Sequence, residues 1–309
     1  MLEPAVIVLR LMQYAGAMIL LGSPLFFIYA LPRSGAASAA QTAWARPLLA
    51  GAGALLAIAA LLSLPVHASI LAGSIRDGVK LETLVAVTTG MDLGKAAICR
   101  AVAAGLAALL VLVLKPGRPS WGLTAALGAV AVASFAWMGH GAATEGPIAP
   151  LHLAADIVHS WAAALWLGAL AVFTLLLLAR PGTAESMAAL HRALHGFSGI
   201  GALLVATLVL TGLVNSVVLV GLDRIEGLWT TPYGRLLSLK VLLFMTMVGL
   251  AAANRYRLTP ALGRALESPA TQGAALAALS RSLVAEAGLG LLVLALVAWF
   301  GTLSPPSAH

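Results

Sequence analysis

The stretch HLAADIVHSWAAALWLGALAVFTLLLLA, residues 152–179, decides the fold class. A bilayer crossing needs roughly 20 predominantly apolar residues, and this run is long enough. Asp156 is its only Asp, Glu, Lys or Arg residue, and the run ends before the breakers Pro181 and Gly182. A segment of this kind is typical of a transmembrane α-helix.

Seven further apolar runs accompany this stretch. They lie at about 5–31, 47–67, 94–114, 121–139, 197–220, 235–253 and 282–303. Hydrocarbon offers no hydrogen-bond partner to the backbone, so each run is expected to form an α-helix. The chain is 61% hydrophobic and only 9% charged, with a mean hydropathy of +1.00. Soluble proteins carry about a quarter charged residues.

The sequence therefore predicts an all-α, polytopic membrane helix bundle with about eight transmembrane helices. We expect one transmembrane domain over 1–309, with first-half helices in 5–139 and second-half helices in 152–303. The stretch 68–93 and the stretch 180–196 are predicted to lie outside the membrane, the first as a solvated or interfacial helix. His191 and His195, in the second, are interpreted as surface residues.

The loop charges predict the orientation. When the eight runs are numbered in chain order, most basic loop residues follow the odd-numbered runs: Arg33, Arg46, Lys115, Arg118, Arg180, Arg192, Arg255, Arg257, Arg264 and Arg281. Only Arg76, Lys80 and Arg224 follow the even-numbered runs. Positive loops stay in the cytoplasm, so both termini are expected in the periplasm. The net charge of +7 is dispersed between apolar runs, which favours a lipid bilayer and no nucleic acid as the partner.

A short motif recurs 140 residues apart. Gly94-Lys95 precedes Arg100, and Gly234-Arg235 precedes Lys240 at the same offset. Four helices in each half would return the chain to the same side of the membrane. The halves could then be two parallel four-helix repeats, related by an axis along the membrane normal, although so short a motif can also recur by coincidence.

The run at 152–179 also holds the sharpest candidate site. His152, Asp156 and His159 are spaced i, i+4 and i+7, which places them on one helical face. His140 could join them across a short loop, and Met138 and His67 are weaker candidates near the same membrane face. Imidazole is the commonest ligand of borderline transition metals, and histidine with methionine suits copper better than magnesium or calcium. Histidine with carboxylate favours Cu(II), whereas methionine favours Cu(I).

Other interpretations of these residues remain open. A single intramembrane histidine often makes an interhelical hydrogen bond, and Asp156 could neutralise Arg100 or Lys240. His67 and His159 could instead be the axial ligands of a b-type haem in an electron-transfer protein. No phosphate-binding loop, dinucleotide fingerprint or nucleophile elbow has a supporting context, so an enzyme is not expected.

Several of these residues belong to an ordered series of motifs that is densest over 134–260. The series comprises SFAWMGH at 134–140, Asp156-x-x-His159 followed by WLG at 166–168, Thr211-Gly212 with Asn215, Tyr233-Gly234-Arg235 with Lys240, and Asn254-Arg255. In these features the chain resembles the copper resistance protein D (CopD) family of bacterial inner-membrane proteins. His195-Gly196 departs from the family pattern, which has a basic residue before Phe197.

The resemblance implies copper handling at the inner membrane, with copper moving from periplasm to cytoplasm. It also implies a separate periplasmic copper-binding protein of the CopC type as a partner, and His140 and His159 as metal-site candidates. A copper-sensing module that binds the ion without net transport is the alternative within the same family.

Overall fold

The computed structural model describes residues 2–30, 44–139, 144–179 and 183–308. Within these ranges the chain is helical and contains no strand. Eight helices are long and apolar enough to cross a membrane. They are α1 Glu3–Ala30, α2 Ala45–Leu71, α3 Asp92–Val113, α4 Arg118–Ala133, α5 Ala149–Leu178, α6 Ala184–Val220, α7 Pro232–Ala253 and α8 Pro269–Phe300. The predicted all-α membrane bundle is confirmed.

Helices α6 and α8 begin well before the apolar runs from which they were predicted. Thr183 caps α6, because its side chain accepts a hydrogen bond from the backbone N–H of Ser186, and such caps stabilise a helix start. Leu190 and Leu194 are then buried in the same hydrophobic cluster as Leu279 and Leu283 of α8. These first turns are amphipathic, and tertiary packing rather than hydropathy makes them helical.

The interpretation of 180–196 as a loop is therefore wrong for residues 184–196. His195 is exposed, as predicted, but His191 is half-buried. A Cβ atom at Gly263 would lie 2.7 Å from His191 Nε2. His191 is thus a packing residue of the bundle and not a free surface side chain. Arg180 and Arg33 lie outside the described residues.

The predicted helical segment between α2 and α3 is present as two short helices, Ile75–Gly78 and Leu81–Gly90. Lys80 Nζ lies 2.6 Å from Asp77 Oδ1 on the surface of this segment. This lysine and the hydroxyl of Ser74 hold the pKa of Asp77 below its ordinary value.

Two irregular turns extend the membrane helices. A 3₁₀ turn, Ser134–Trp137, continues α4. A π-helical turn, Asn254–Leu258, joins α7 to a further short helix, Thr259–Ala265. π-Helical turns often occur at functional sites.

Helix α1 lies at the centre and packs against α2, α4, α5 and α8. Its crossing with α5 is very close. A Cβ atom at Gly22 would lie 2.1 Å from the carbonyl oxygen of Ala164, and one at Gly168 would lie 2.5 Å from Gly22 Cα. The hydroxyl of Ser23 also donates to the carbonyl of Gly168 at 3.2 Å. This contact joins the two halves of the bundle.

The recurring glycine motif has the same structural role in both halves. A Cβ atom at Gly94 would lie 2.0 Å from the carbonyl oxygen of Val87, and one at Gly234 would lie 1.9 Å from that of Gly227. In both places the glycine lets the third residue of a membrane helix rest against the short helix before it. This equivalence supports the proposed repeat.

The two halves differ in one pair of helices. α2 and α3 pack closely, whereas their counterparts α6 and α7 barely touch each other. Helices α6 and α7 each line both of the cavities described below. The second half therefore contains a cleft where the first half is tightly packed.

Substituting Gly168 by leucine is expected to destabilise the bundle by at least about 2 kcal/mol, because the added side chain has to push α1 and α5 apart. Equilibrium unfolding in mixed micelles would measure this change. The control is Gly105→Leu, since a Cβ atom at Gly105 meets no other atom within 4 Å. Equal stability of the two variants would contradict a close α1–α5 crossing.

Candidate metal-binding cavity

The three predicted ligands of α5 line one cavity between α1, α5, α6, α7 and α8. His152, Asp156 and His159 share it with Asn215 of α6 and Lys240 of α7. Its volume is about 400 Å³. We call it the histidine cavity. It lies at the end of the bundle where α5 begins.

His159 has a defined tautomer. Its Nδ1 lies 2.9 Å from Thr211 Oγ1, and the hydroxyl of Thr211 donates to the carbonyl of Thr207 at 2.6 Å. Because that hydroxyl has only one proton, this contact to Thr207 favours the tautomer in which Nδ1–H of His159 donates to Thr211. Nε2 is then the nitrogen with the free lone pair, the form that binds a metal.

The other two residues of α5 have weaker anchors. His152 is fully buried, and its Nδ1 lies 2.7 Å from Thr144 Oγ1. Asp156 Oδ1 accepts a long hydrogen bond of 3.5 Å from Asn215 Nδ2. Asn215 Oδ1 is buried, with no hydrogen-bond partner among the described residues. The cavity thus contains a carboxylate with spare acceptor capacity and an unpaired amide oxygen.

These side chains do not form a finished metal cluster. In the described part of the chain, no three His, Cys, Asp or Glu residues are close enough together to hold one ion. A rise of 1.5 Å per residue spreads an i, i+7 pair over about 10 Å, which is too far for ligands that each lie about 2 Å from a metal. His140 lies outside the described residues, although the preceding residue, Gly139, lines the cavity.

Two cationic side chains, Arg10 and Lys240, share the cavity with Asp156. Lys240 Nζ lies 5.8 Å from the ring centroid of Phe300, and no ion pair joins Lys240 to Asp156 in the described structure. Asp156 is the only carboxylate among the described lining residues. Arg10 and Lys240 disfavour a cation in the histidine cavity, because like charges repel. Asp156 is the charged group that favours one.

Arg100 is buried completely and pairs with neutral groups. Its Nε donates to Ser134 Oγ at 2.9 Å, and its Nη2 donates to the Ser134 carbonyl at 3.0 Å. Its Nη1 lies 2.5 Å from Gln13 Oε1, and the guanidinium lies over the Phe135 ring. Arg100 therefore holds α3 against α1 and α4. No ion pair joins Arg100 to Asp156 in the described residues, so the structure does not support neutralisation of Arg100 by Asp156.

The two weaker candidates lie outside the lining of the histidine cavity. Met138 Sδ lies 3.4 Å from Arg100 Nη1, and the Met138 carbonyl accepts from Arg10 Nη2. His67 donates from Nδ1 to the carbonyl of Ser63 at 2.7 Å. Neither cavity described here is lined by both His67 and His159, the pair considered for haem.

A second cavity, of about 270 Å³, lies toward the end of the bundle where α5 and α7 finish. We call it the glutamate cavity, after Glu286 of α8. Glu286 Oε1 accepts from Trp166 Nε1 at 3.0 Å, and Oε2 accepts from Asn254 Nδ2 at 2.8 Å. The sequence motifs already include Trp166, Thr211 and Asn254, but they do not reveal the hydrogen bonds of these residues. Their partners lie on other helices, so periodicity alone could not reveal them.

The fold and the two cavities define a multi-pass membrane protein with ionisable groups inside a helix bundle. Two family models match the chain: "Copper resistance protein D-like, N-terminal domain" over residues 1–151 and "Copper resistance protein D" over residues 191–300. Copper resistance protein D of Pseudomonas syringae pv. tomato is 37% identical over 307 residues, which covers 98% of this chain and 97% of that protein.

The chain belongs to the copper resistance protein D family, and its resemblance to that family is confirmed. Inner membrane protein YebZ of Escherichia coli (strain K12) is 30% identical over 172 residues, which is 55% of each chain. No solved structure matches the chain significantly. The protein is a multi-pass inner-membrane protein of copper resistance. Most of α5, including His159, lies between the two matched ranges.

Replacing Arg100 by lysine is expected to lower the free energy of unfolding by about 2–3 kcal/mol. One ammonium group cannot reach Ser134 and Gln13 with the same fork of donors, so buried acceptors lose their partners. Arg76→Lys, at an exposed position, is the matched control and should be neutral. An unchanged unfolding midpoint for Arg100→Lys would contradict the network.

Proposed function

We propose that this protein binds copper in the histidine cavity and passes it from the periplasm toward the cytoplasm. The candidate ligands are His152, Asp156 and His159 of α5, together with His140, and one ion would bind either His152 or His159 at a time. The observation that carries the proposal is the Nδ1–H hydrogen bond from His159 to Thr211, because it leaves Nε2 ready to ligate. Copper is the cargo, and no chemical reaction is proposed for it.

The hydrogen bonds that hold these side chains fit a site that loads and releases its ion. His159 has a firm anchor in Thr211, whereas the hydrogen bond from Asn215 to Asp156 is at the limit of its range. His152 and His159 are too far apart on α5 to hold the same ion, so an ion bound at either one needs Asp156 and further ligands from His140 or from neighbouring helices. A site that is incomplete when empty favours exchange over permanent storage.

The chemistry of the cavity suits copper in either valence. Imidazole and carboxylate favour Cu(II), and thioethers favour Cu(I). Met18, Met245 and Met247 also line the cavity, and Met247 is buried toward its deep side, near Gly290. The ion would meet nitrogen and oxygen ligands at the α5 start and sulfur ligands deeper in the bundle.

The direction of movement rests on the loop charges and on the family. By the positive-inside rule, the basic loops favour an orientation in which both termini, and the end of the bundle where α5 begins, face the periplasm. Copper would then enter the histidine cavity from the periplasm, and a separate CopC-type protein would be its donor. Trp166 and Phe244, in edge-to-face contact at 5.9 Å, lie between this cavity and the glutamate cavity.

The test of this proposal is the metal content of detergent-purified protein, with absorption and electron paramagnetic resonance spectra to give the valence. Near-stoichiometric copper is expected in the wild type, and its loss is expected in His152→Ala/His159→Ala. The His191→Ala/His195→Ala variant also removes two histidines, but at the other end of the bundle, and it should keep its copper. His140→Ala tests the fourth ligand separately.

Copper retained by the cavity variant would reject these ligands, and a Soret band would favour the haem interpretation instead. Copper uptake into proteoliposomes then separates transport from sensing. Binding with no flux above that of empty vesicles would contradict the transport part of the proposal.

Replacing Thr211 by valine is expected to weaken copper binding about 10- to 100-fold, because partners that orient a metal-binding imidazole typically contribute that much. Valine keeps the shape of threonine but cannot accept from His159 Nδ1. Competition with a chromophoric chelator would measure the affinity. Thr246→Val, on the exposed side of α7, is the control and should bind like the wild type.

A further inference from the structure

The glutamate cavity contains a carboxylate that the copper proposal does not use. Glu286 is only 2% exposed, and its two oxygens accept hydrogen bonds from the neutral groups of Trp166 and Asn254. An ionisable group inside a membrane is costly, and such groups usually mark ion or proton pathways. Glu286 therefore needs a role of its own.

Among the described residues, no cationic side chain forms an ion pair with this carboxylate. The ion pairs of the described residues both lie outside the glutamate cavity, at Lys80–Asp77 and Lys95–Asp92. The other ionisable side chains among the described lining residues are Arg255 and Tyr256, both from the π-helical turn. The lining residues of α5 and α6 contribute no ionisable side chain to this cavity.

Arg255 is engaged elsewhere. Its Nη1 donates to the carbonyl of Ser198 at 3.0 Å, and its guanidinium lies 5.2 Å from the ring centroid of Tyr256. This hydrogen bond ties the π-helical turn to α6 and occupies the guanidinium at the rim of the cavity. Glu286 is left with neutral partners.

Asn254 provides a second, independent observation. It is 7% exposed and lines the cavity, and its Oδ1 has no hydrogen-bond partner among the described residues. An unpaired buried amide oxygen is unfavourable, because it has lost its hydrogen bonds to water without replacement. It lies on the side chain that already contacts Glu286, so the cavity holds two acceptor groups with spare capacity and needs a donor.

The donor that fits is a proton and not a copper ion. Oxygen ligands suit hard cations better than copper, and the described residues that line this cavity include no histidine, cysteine or methionine. The cavity is large enough for water. Protonation removes the charge of Glu286 and creates an O–H donor in one step.

We propose that Glu286 is a proton-binding carboxyl that exchanges its proton with water in the glutamate cavity. A hydronium ion gives its proton to a carboxylate oxygen, which leaves water and a neutral carboxyl, and the reverse step returns the proton to water. Asn254 serves both forms. Its Nδ2 donates to the ionised carboxylate, and a half-turn of the amide lets Oδ1 accept from the protonated one. This site is separate from copper binding and stands without it.

The test is infrared difference spectroscopy, acid minus neutral, on the full chain in lipid nanodiscs without added metal. The wild type is expected to give the carbonyl band of a protonated carboxyl, which shifts in heavy water. Glu286→Gln should lose this band, whereas Glu267→Gln, at an exposed position, should keep it. Trp166→Phe removes the N–H that favours the ionised form, so the midpoint of the band should rise by about one pH unit.

Two outcomes would overturn the proposal. One is a Glu286→Gln spectrum identical to that of the wild type, and the other is a band that does not shift in heavy water, since an isolated acid does not exchange. If Glu286→Gln fails to fold, the Trp166→Phe midpoint decides, and an unchanged midpoint rejects Glu286 as the titrating group. Copper binding is measured separately, so its failure does not affect this result.

Discussion

The contact of Gly22 with Gly168 is the constraint on which the rest of the bundle depends. Lipid tails are as apolar as leucine, so membrane helices gain little from hiding apolar surface and associate mainly through close packing. At this crossing any side chain larger than hydrogen would meet backbone atoms of the partner helix. Because α1 also packs on α2, α4 and α8, the crossing positions α5, and with it His152, Asp156 and His159, against both halves.

The two halves share one plan but use it differently. In the first half, α2 lies close to α3: a Cβ atom at Gly53 would lie 2.8 Å from the carbonyl oxygen of Ala104. Arg46 also donates to carbonyl groups at the end of α3. In the second half α6 and α7 stay apart, and the connection from Arg255 to Ser198 lies beyond the end of α7. The first half, which contains Arg100, packs α2 closely against α3, whereas the second half, which contains the candidate ligands, leaves a cavity between α6 and α7.

Much of the fold could be predicted from the sequence because hydropathy is a property of single segments. The eight crossings follow from that property. The shared face of His152 and His159 follows from helical periodicity, because both residues belong to one helix. The early starts of α6 and α8 could not be predicted in this way, because Leu190 and Leu279 gain their helical context from each other's helices. The hydrogen bonds of Thr211 and Trp166 could not be predicted for the same reason, since a hydrogen bond between helices leaves no period in the sequence.

The separation of α6 from α7 gives the bilayer a structural part in the protein. Val209 and Leu213 of α6 and Val241 and Met245 of α7 line the histidine cavity and are also exposed on the outside of the bundle. In a bilayer, acyl chains would complete the wall that the polypeptide leaves open. The length and unsaturation of those chains would then influence the shape of the cavity, so the lipid composition of the cell would belong to the description of this site as much as the helices do.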